Sequence, residues 1–299
     1  MNADEFLPIK KLAMLAMFSE EPLLSTLVLK GGNLLDLVYG VAPRSSIDLD
    51  FSMERDFAPG QMPVIRHAIQ EALSNTFSAS GYHVFDITFV EKPRRPPPDM
   101  PSFWGGYRIE FKVIPRSLAE KYKGQERELR VRALRCGTGG RLAFSIDISK
   151  FEYCKTRRAR EIEGQTIYIY TPEMLVFEKL RAICQQMPEY AAAPRTATRT
   201  ARARDFFDIV AILRNFRLTL PSAENLDLAR HIFEAKAVPL RLIGLIPGQR
   251  EYHRSDFLSV QGTVKPGVLL RDFDFYFDYV LEHCVGPLES LWKVDSPAA

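Results

Sequence analysis

The chain has 299 residues, 46% hydrophobic and 26% charged, with a formal charge of +3 and a pI of about 8.6. That composition argues against a disordered chain, and so mild a basic balance does not mark a nucleic-acid binder by itself. No apolar run approaches the roughly 18 residues needed to span a bilayer, and the length suits one large domain or two moderate ones.

In chain order, MNADEFLPIKKLAMLAMFSEE reads as an amphipathic helix rather than a signal peptide, because acids flank its short apolar patch. TLVLK (26–30) is a short apolar strand that runs into Gly31-Gly32; NLLDLVY follows as a helix and SIDLDFS as a strand. VIRHAIQEALSNTF (64–77) has helical spacing, and YHVFDITFV (82–90) alternates as a strand. KPRRPPPDMPS (92–102) is a proline-rich surface loop. WGGYRIEFKVI (104–114) is a strand, SLAEKYKGQERELRVRAL a polar helix, and LAFSIDIS (142–149) and TIYIY (166–170) are strands again.

After Pro172 the pattern turns helical. PEMLVFEKLRAICQQM opens with proline in its first turn, RDFFDIVAILRNF is a further helix, and RDFDFYFDYVLEHCVGPLESLW is the last long one. These features set a boundary near residue 170, with domains at 1–170 and 171–299. Cys136, Cys154, Cys184 and Cys284 form no CxxC pair, and the five histidines have no metal-binding spacing. A zinc site or disulfide framework is not expected, and a reducing cytoplasm is the natural home.

One strand is odd. In SIDLDFS, Asp48 and Asp50 share a face, and Ile47, Leu49 and Phe51 take the other. Like charges beside a core are unfavourable unless something positive lies between them. RIEFKV repeats the pattern, with Ile109, Phe111 and Val113 opposite Arg108, Glu110 and Lys112, and FSIDIS sets Asp147 between serines. A solvated sheet face is the alternative for each strand, and it is weakest for SIDLDFS because Asp is depleted in strands. If the strands are neighbours, Asp48, Asp50, Asp147 and Lys112 build one site. Three carboxylates without histidine suit Mg2+ or Mn2+ rather than zinc. Such ions serve phosphoryl and nucleotidyl transfer, a nearby lysine neutralises a triphosphate, and a Gly-Gly turn lets backbone come close to phosphates.

The stretch LVLKGGNLLDLVYGVAPRSSIDLDFS resembles the first motif of the nucleotidyltransferase superfamily in the form used by AbiEii/AbiGii-type toxins. Arg44, Ser46, Asp48, Asp50 and Phe51 match its Arg-x-Ser-x-Asp-x-Asp-Phe pattern, and Asn33 stands where the family usually has threonine. The similarity continues through GGYRIEFKVI, FSIDISKFEYC, TPEMLVFEKLRAICQQMPEY and RARDFFDIVAIL, from about residue 25 to 215. The resemblance implies an α+β fold of α/β-like character: a nucleotidyltransferase-type mixed sheet flanked by helices, followed by a mainly α-helical C-terminal domain. It implies Asp48 and Asp50 as metal ligands, Lys112 as the phosphate-binding lysine, and Asp147 as the third carboxylate, which also assists the acceptor hydroxyl. Gly31, Gly32, Arg44 and Ser46 fall with the nucleotide, and Arg108 is the rival to Lys112, with Glu110 beside it.

Lys179, Arg204, Asp205 and Asp208 match a further block of the family; Arg204 and Asp208 stand at i, i+4, where a structural pair is as natural as nucleotide contact. Two basic stretches, Lys155, Arg157, Arg158 and Arg160, and Arg195, Arg199, Arg202 and Arg204, suit an RNA backbone or are simply solvated. By resemblance the substrate is a nucleoside triphosphate, the acceptor RNA and first of all a tRNA 3′ end, and the partner a separate antitoxin protein. The alternatives are an enzyme that modifies antibiotics or other small molecules on the same frame, and an inactive nucleotide-binding module.

Overall fold

The computed structural model describes residues 3–136, 142–192 and 198–293. The chain divides into two units, one of Met1–Val38, Ser46–Arg95 and Gly105–Ile169, the other of Tyr39–Ser45, Pro96–Trp104 and Tyr170–Ala299. The second unit thus borrows two short segments from the first half of the sequence.

The first unit is built on a mixed sheet of seven strands among the described residues: β1 Val28–Lys30, β2 Leu49–Ser52, β3 Tyr82–Lys92, β4 Gly106–Pro115, β5 Phe144–Ser149, β6 Arg158–Ile162 and β7 Gln165–Ile169. Their spatial order is β3-β4-β5-β2-β1-β7-β6. The pairs β2/β5 and β1/β7 are parallel and the others antiparallel. Alternation gives the sheet an apolar face of Leu29, Phe51, Ile146, Phe144, Ile109 and Phe111, all buried. Helices Ala3–Ala16 and Met62–Ala79 cover it, with Phe6 against Phe144 at 5.8 Å between ring centroids and Phe77 against Phe111 at 5.7 Å. The α+β reading holds.

Several expected elements shift. SIDLDFS enters the ladder only at Leu49, and Ile47 is 48% exposed rather than facing the core. The residues before Leu49 are drawn off by other partners: Lys10 donates to the carbonyl of Ser46 and Asn33 to that of Asp48. Thr26 closes a short helix, Leu23–Thr26, so β1 starts at Val28. The polar helix after residue 116 is two pieces, Arg116–Lys121 and Glu126–Arg132, broken around Gly124 at φ +79°. KTRRAR runs into β6, an edge strand paired with β7 through a two-residue turn in which Glu163 and Gly164 both have positive φ. A bulge interrupts β3 between Phe85 and Thr88, where Asp86 takes φ 51°.

The second unit is mainly helical. Helix Pro172–Cys184 starts on Thr171, whose hydroxyl accepts from the Met174 amide at 3.3 Å, and buries almost every side chain. It packs with Ala203–Phe216 and Ala223–Glu234. The last segment is helical only over Phe273–Val280; it widens into a π turn at Leu281–Val285 and restarts at Glu289–Trp292 after Gly286-Pro287. Segment 39–45 is held here by backbone bonds from Ser45 to Thr263 and from Lys265 to Pro43. The four cysteines are buried and stand outside any disulfide among the described residues, where no helix is long and apolar enough to cross a membrane.

Phe111 is fully buried, with Phe77 and Phe144 each at 5.7 Å. Phe111→Ala is expected to cost about 3–5 kcal/mol in urea denaturation, as large core truncations do.

Candidate active site

The face of the sheet away from the aromatic core carries the unusual charges, and register fixes their order. Lys30 lies opposite Asp50, Asp50 opposite Asp147, Asp147 opposite Arg108, and Arg108 opposite Val90. Four strands therefore place lysine, aspartate, aspartate and arginine side by side on one face. Two carboxylates in adjacent positions are tolerable because a cation flanks each.

Asp147 is held most firmly. Arg108 grips it with both edges of its guanidinium, Nε to Oδ1 at 2.8 Å and Nη2 to Oδ2 at 2.6 Å. Lys92, at the end of β3, adds a bond from Nζ to Oδ1 at 3.1 Å. Burial by itself would raise the pKa of Asp147, but the Arg108 bonds and the Lys92 charge outweigh it and hold the carboxyl below its ordinary value. The bond to Asp147 in turn raises Arg108, and the charges of Asp48 and Glu110 add to that rise. At the other end of the row Lys30 reaches Glu152 at 3.7 Å, both of them buried.

The glycine turn lies directly against this row. Gly31 has φ +74°, and a Cβ built on it would come within 2.6 Å of Asp50 Oδ2, so the backbone approaches the carboxylate as no other residue would allow. Asn33 stitches the turn to the acidic segment: its Nδ2 donates to the Asp48 carbonyl at 2.6 Å. Its Oδ1 is buried without a hydrogen-bond partner. Asp48 itself lies in the bend before β2.

Tested against a hard divalent cation, the donors suit in kind: the carboxylates of Asp48 and Asp50 and an unpartnered amide oxygen are all oxygen ligands. Both oxygens of Asp147 are engaged by cations. Among the described residues no group of three or more His, Cys, Asp or Glu side chains is gathered for a metal ion.

The remaining expected residues are not in this row. Lys112 lies two same-face positions along β4 from Arg108 and bonds Asp86 at 2.9 Å, which Arg130 also grips. Those partners hold the Asp86 carboxyl down to about 2. The cation beside Asp147 is thus Arg108, with Lys92, a residue the sequence reading did not single out. Glu110 faces Ser145.

Arg44, Lys179, Arg204, Asp205 and Asp208 belong to the second unit. Arg44 bonds Asp208 through Nε at 2.7 Å and Nη2 at 2.6 Å, spending the fork expected to meet a nucleotide. Lys179 joins Asp208 at 2.7 Å and Asp205 at 3.1 Å, and Arg202 reaches Asp205 at 2.6 Å. Asp208 therefore pairs with Arg44 and Lys179 in place of the expected Arg204, which is exposed. Burial would neutralise Lys179, yet Asp208 and Asp205 keep its pKa raised, while burial of Asp208 is offset by Lys179 and Arg44 and its pKa falls. In the basic stretches, Lys155, Arg158 and Arg160 are exposed, Arg157 stacks on Tyr168 at 4.4 Å, and Arg195 lies outside the described residues.

His253, fully buried, accepts from the Arg202 amide through Nδ1 at 3.0 Å. Burial pushes its pKa down to about 4, against the pull of Asp205. Between pH 6.5 and 4 the unfolded chain takes the proton first, so stability falls as pH falls through that window, by about 3 kcal/mol in all. His253→Asn keeps an acceptor for Arg202 and is expected to flatten that stretch of a urea-denaturation pH series. Gly31→Ala is expected to cost about 1–2 kcal/mol in the same assay, since a side chain at that φ is strained and Asp50 is in its way.

The family described as Nucleotidyl transferase AbiEii toxin, Type IV toxin–antitoxin system, matches residues 13–279. JHP933 from Helicobacter pylori is 19% identical at a TM-score of 0.50, over 97% of this chain and 95% of its own. A candidate nucleotidyltransferase from H. pylori is 19% identical at a TM-score of 0.50, over 98% of this chain and 99% of its own. At that identity the likeness is one of fold, and no curated protein sequence matches. By its match over residues 13–279, the chain belongs to the AbiEii nucleotidyltransferase toxin family of type IV toxin–antitoxin systems.

Proposed function

We propose that the protein transfers a nucleoside monophosphate from a nucleoside triphosphate to an acceptor hydroxyl, releasing pyrophosphate, and that the acceptor is RNA, first of all the 3′ end of a tRNA. The observation that carries this reading is the cross-strand row, in which Asp50 and Asp147 adjoin, Arg108 closes one side, and the Gly31 backbone lies against Asp50. In this reading Asp48 and Asp50 hold Mg2+ or Mn2+, and Asp147 completes the set. The ion, when bound, supplies charge neutralisation at the phosphates undergoing transfer.

The chain's own groups do the rest. In this reading the Gly31-Gly32 backbone allows close approach of the triphosphate, Arg108 brings the fork that fits phosphate oxygens, and the Asp147 carboxylate, its pKa held down, orients the acceptor hydroxyl. Lys112 is assigned to Asp86 and the β3 bulge, not to the nucleotide. The exposed arginines of β6 favour RNA over a small acceptor, because a row of cations along one edge matches a phosphate backbone. Family membership supports a separate antitoxin as partner, and cysteines in the thiol form suit a reducing cytoplasm.

Incubation with each labelled triphosphate, total RNA and a panel of aminoglycosides tests the proposal. Label is expected in RNA, and loss of at least about a hundredfold, some 3 kcal/mol of barrier, is expected for Asp48→Ala and Asp50→Ala with the fold intact. Label in the small molecules alone, or undiminished transfer by the folded variants, would overturn it.

A further inference from the structure

We infer that Lys92 and Arg108 together take the triphosphate, and that their ion pairs with Asp147 are a resting state which keeps this carboxylate from the divalent cation until nucleotide arrives. The inference rests on the nucleotide-transfer reading and deepens it by naming the phosphate subsite. Lys92 lies outside every motif of the family resemblance, yet its Nζ is 3.1 Å from Asp147 Oδ1, and its side chain is 43% exposed and reachable from solvent. Arg108 holds the same carboxylate in a two-point grip that a phosphate fits equally well. With both oxygens engaged, Asp147 cannot serve as a full ligand beside Asp50, its register partner, unless those bonds are given up.

A triphosphate carries several negative charges against the single charge of Asp147, so it competes strongly for the two cations. As Arg108 and Lys92 turn to it, Asp147 loses its counter-charges while adjoining Asp50, and a cation between the two carboxylates restores neutrality. Charge balance thus makes nucleotide and metal binding mutually favourable. Lys112 does not substitute, being bonded to Asp86.

The full-length protein would be titrated calorimetrically with inorganic tripolyphosphate in the absence of metal. It would be titrated separately with Mn2+ in the absence of phosphate, with free ion followed by electron paramagnetic resonance. Lys92→Gln and Arg108→Gln are each expected to weaken tripolyphosphate binding about tenfold and to tighten Mn2+ binding about tenfold, about 1.4 kcal/mol in each case. Lys92→Arg should keep wild-type values, and the exposed Lys123→Gln should move neither.

The Mn2+ gain should vanish in Lys92→Gln combined with Asp147→Asn, because it arises from the freed carboxylate. Circular dichroism checks that each variant folds. Wild-type tripolyphosphate affinity in Lys92→Gln or Arg108→Gln overturns the inference, and so does a Mn2+ gain that survives Asp147→Asn. Asp50→Asn separates the two levels: it should abolish Mn2+ binding, and if it does not, the nucleotide-transfer reading falls and this inference with it.

Discussion

The site depends on charge compensation along a single row of the sheet. Aspartates at adjacent positions of β2 and β5 repel, and in a half-buried setting neither is stable as an anion without a neighbour of opposite sign. Arg108 supplies it directly to Asp147, and Lys30 stands at the register position beside Asp50. Because every member stands on a different strand, the arrangement exists only when the ladder is in register. The chemistry and the sheet are therefore specified together, since a slip of one residue would turn the charges into the core.

The second unit shows the same principle used for another end. Lys179, Asp205 and Asp208 are all buried, and Arg44 and Arg202 complete their neutralisation. With every fork and ammonium satisfied by a fixed partner, that cluster is suited to holding segments together and leaves little charge for a ligand. A difference in exposure, rather than in residue type, separates the two groups: Lys92 and Arg108 remain accessible to solvent, whereas Lys179 does not.

Much of this was legible in the sequence. Alternation marks most strands, and Asp50 of SIDLDFS with the solitary acid of FSIDIS marks one face of the sheet. The rest depends on long-range geometry. Arg108 and Lys112 have the same parity along β4, so no pattern within that strand could say which meets Asp147; the answer lies in the β4/β5 register. Arg204 and Asp208 satisfied a helical spacing rule, but a cation from residue 44 reaches the acid first. Strand β6 is hidden because its arginines read only as a basic, solvated stretch, and the Glu163-Gly164 turn that folds it back is a local sign. Asn33, a departure from the family habit, keeps the turn attached to Asp48 by a bond of its own.

The kink at Asp86 has reach beyond its own neighbourhood. In β3, Val84 faces the core, and strict alternation would send Lys92, an even number of steps later, into the same apolar layer. The additional residue between Phe85 and Thr88 reverses the phase, so that Phe89 turns inward and Lys92 emerges beside Asp147. Lys112 and Arg130, clamped on Asp86, thereby act as the peg that sets the strand's timing. Flattening the bulge with every residue kept would be a reading-frame error written in geometry: every later side chain of β3 would change sides, with the ammonium at position 92 lost to the interior.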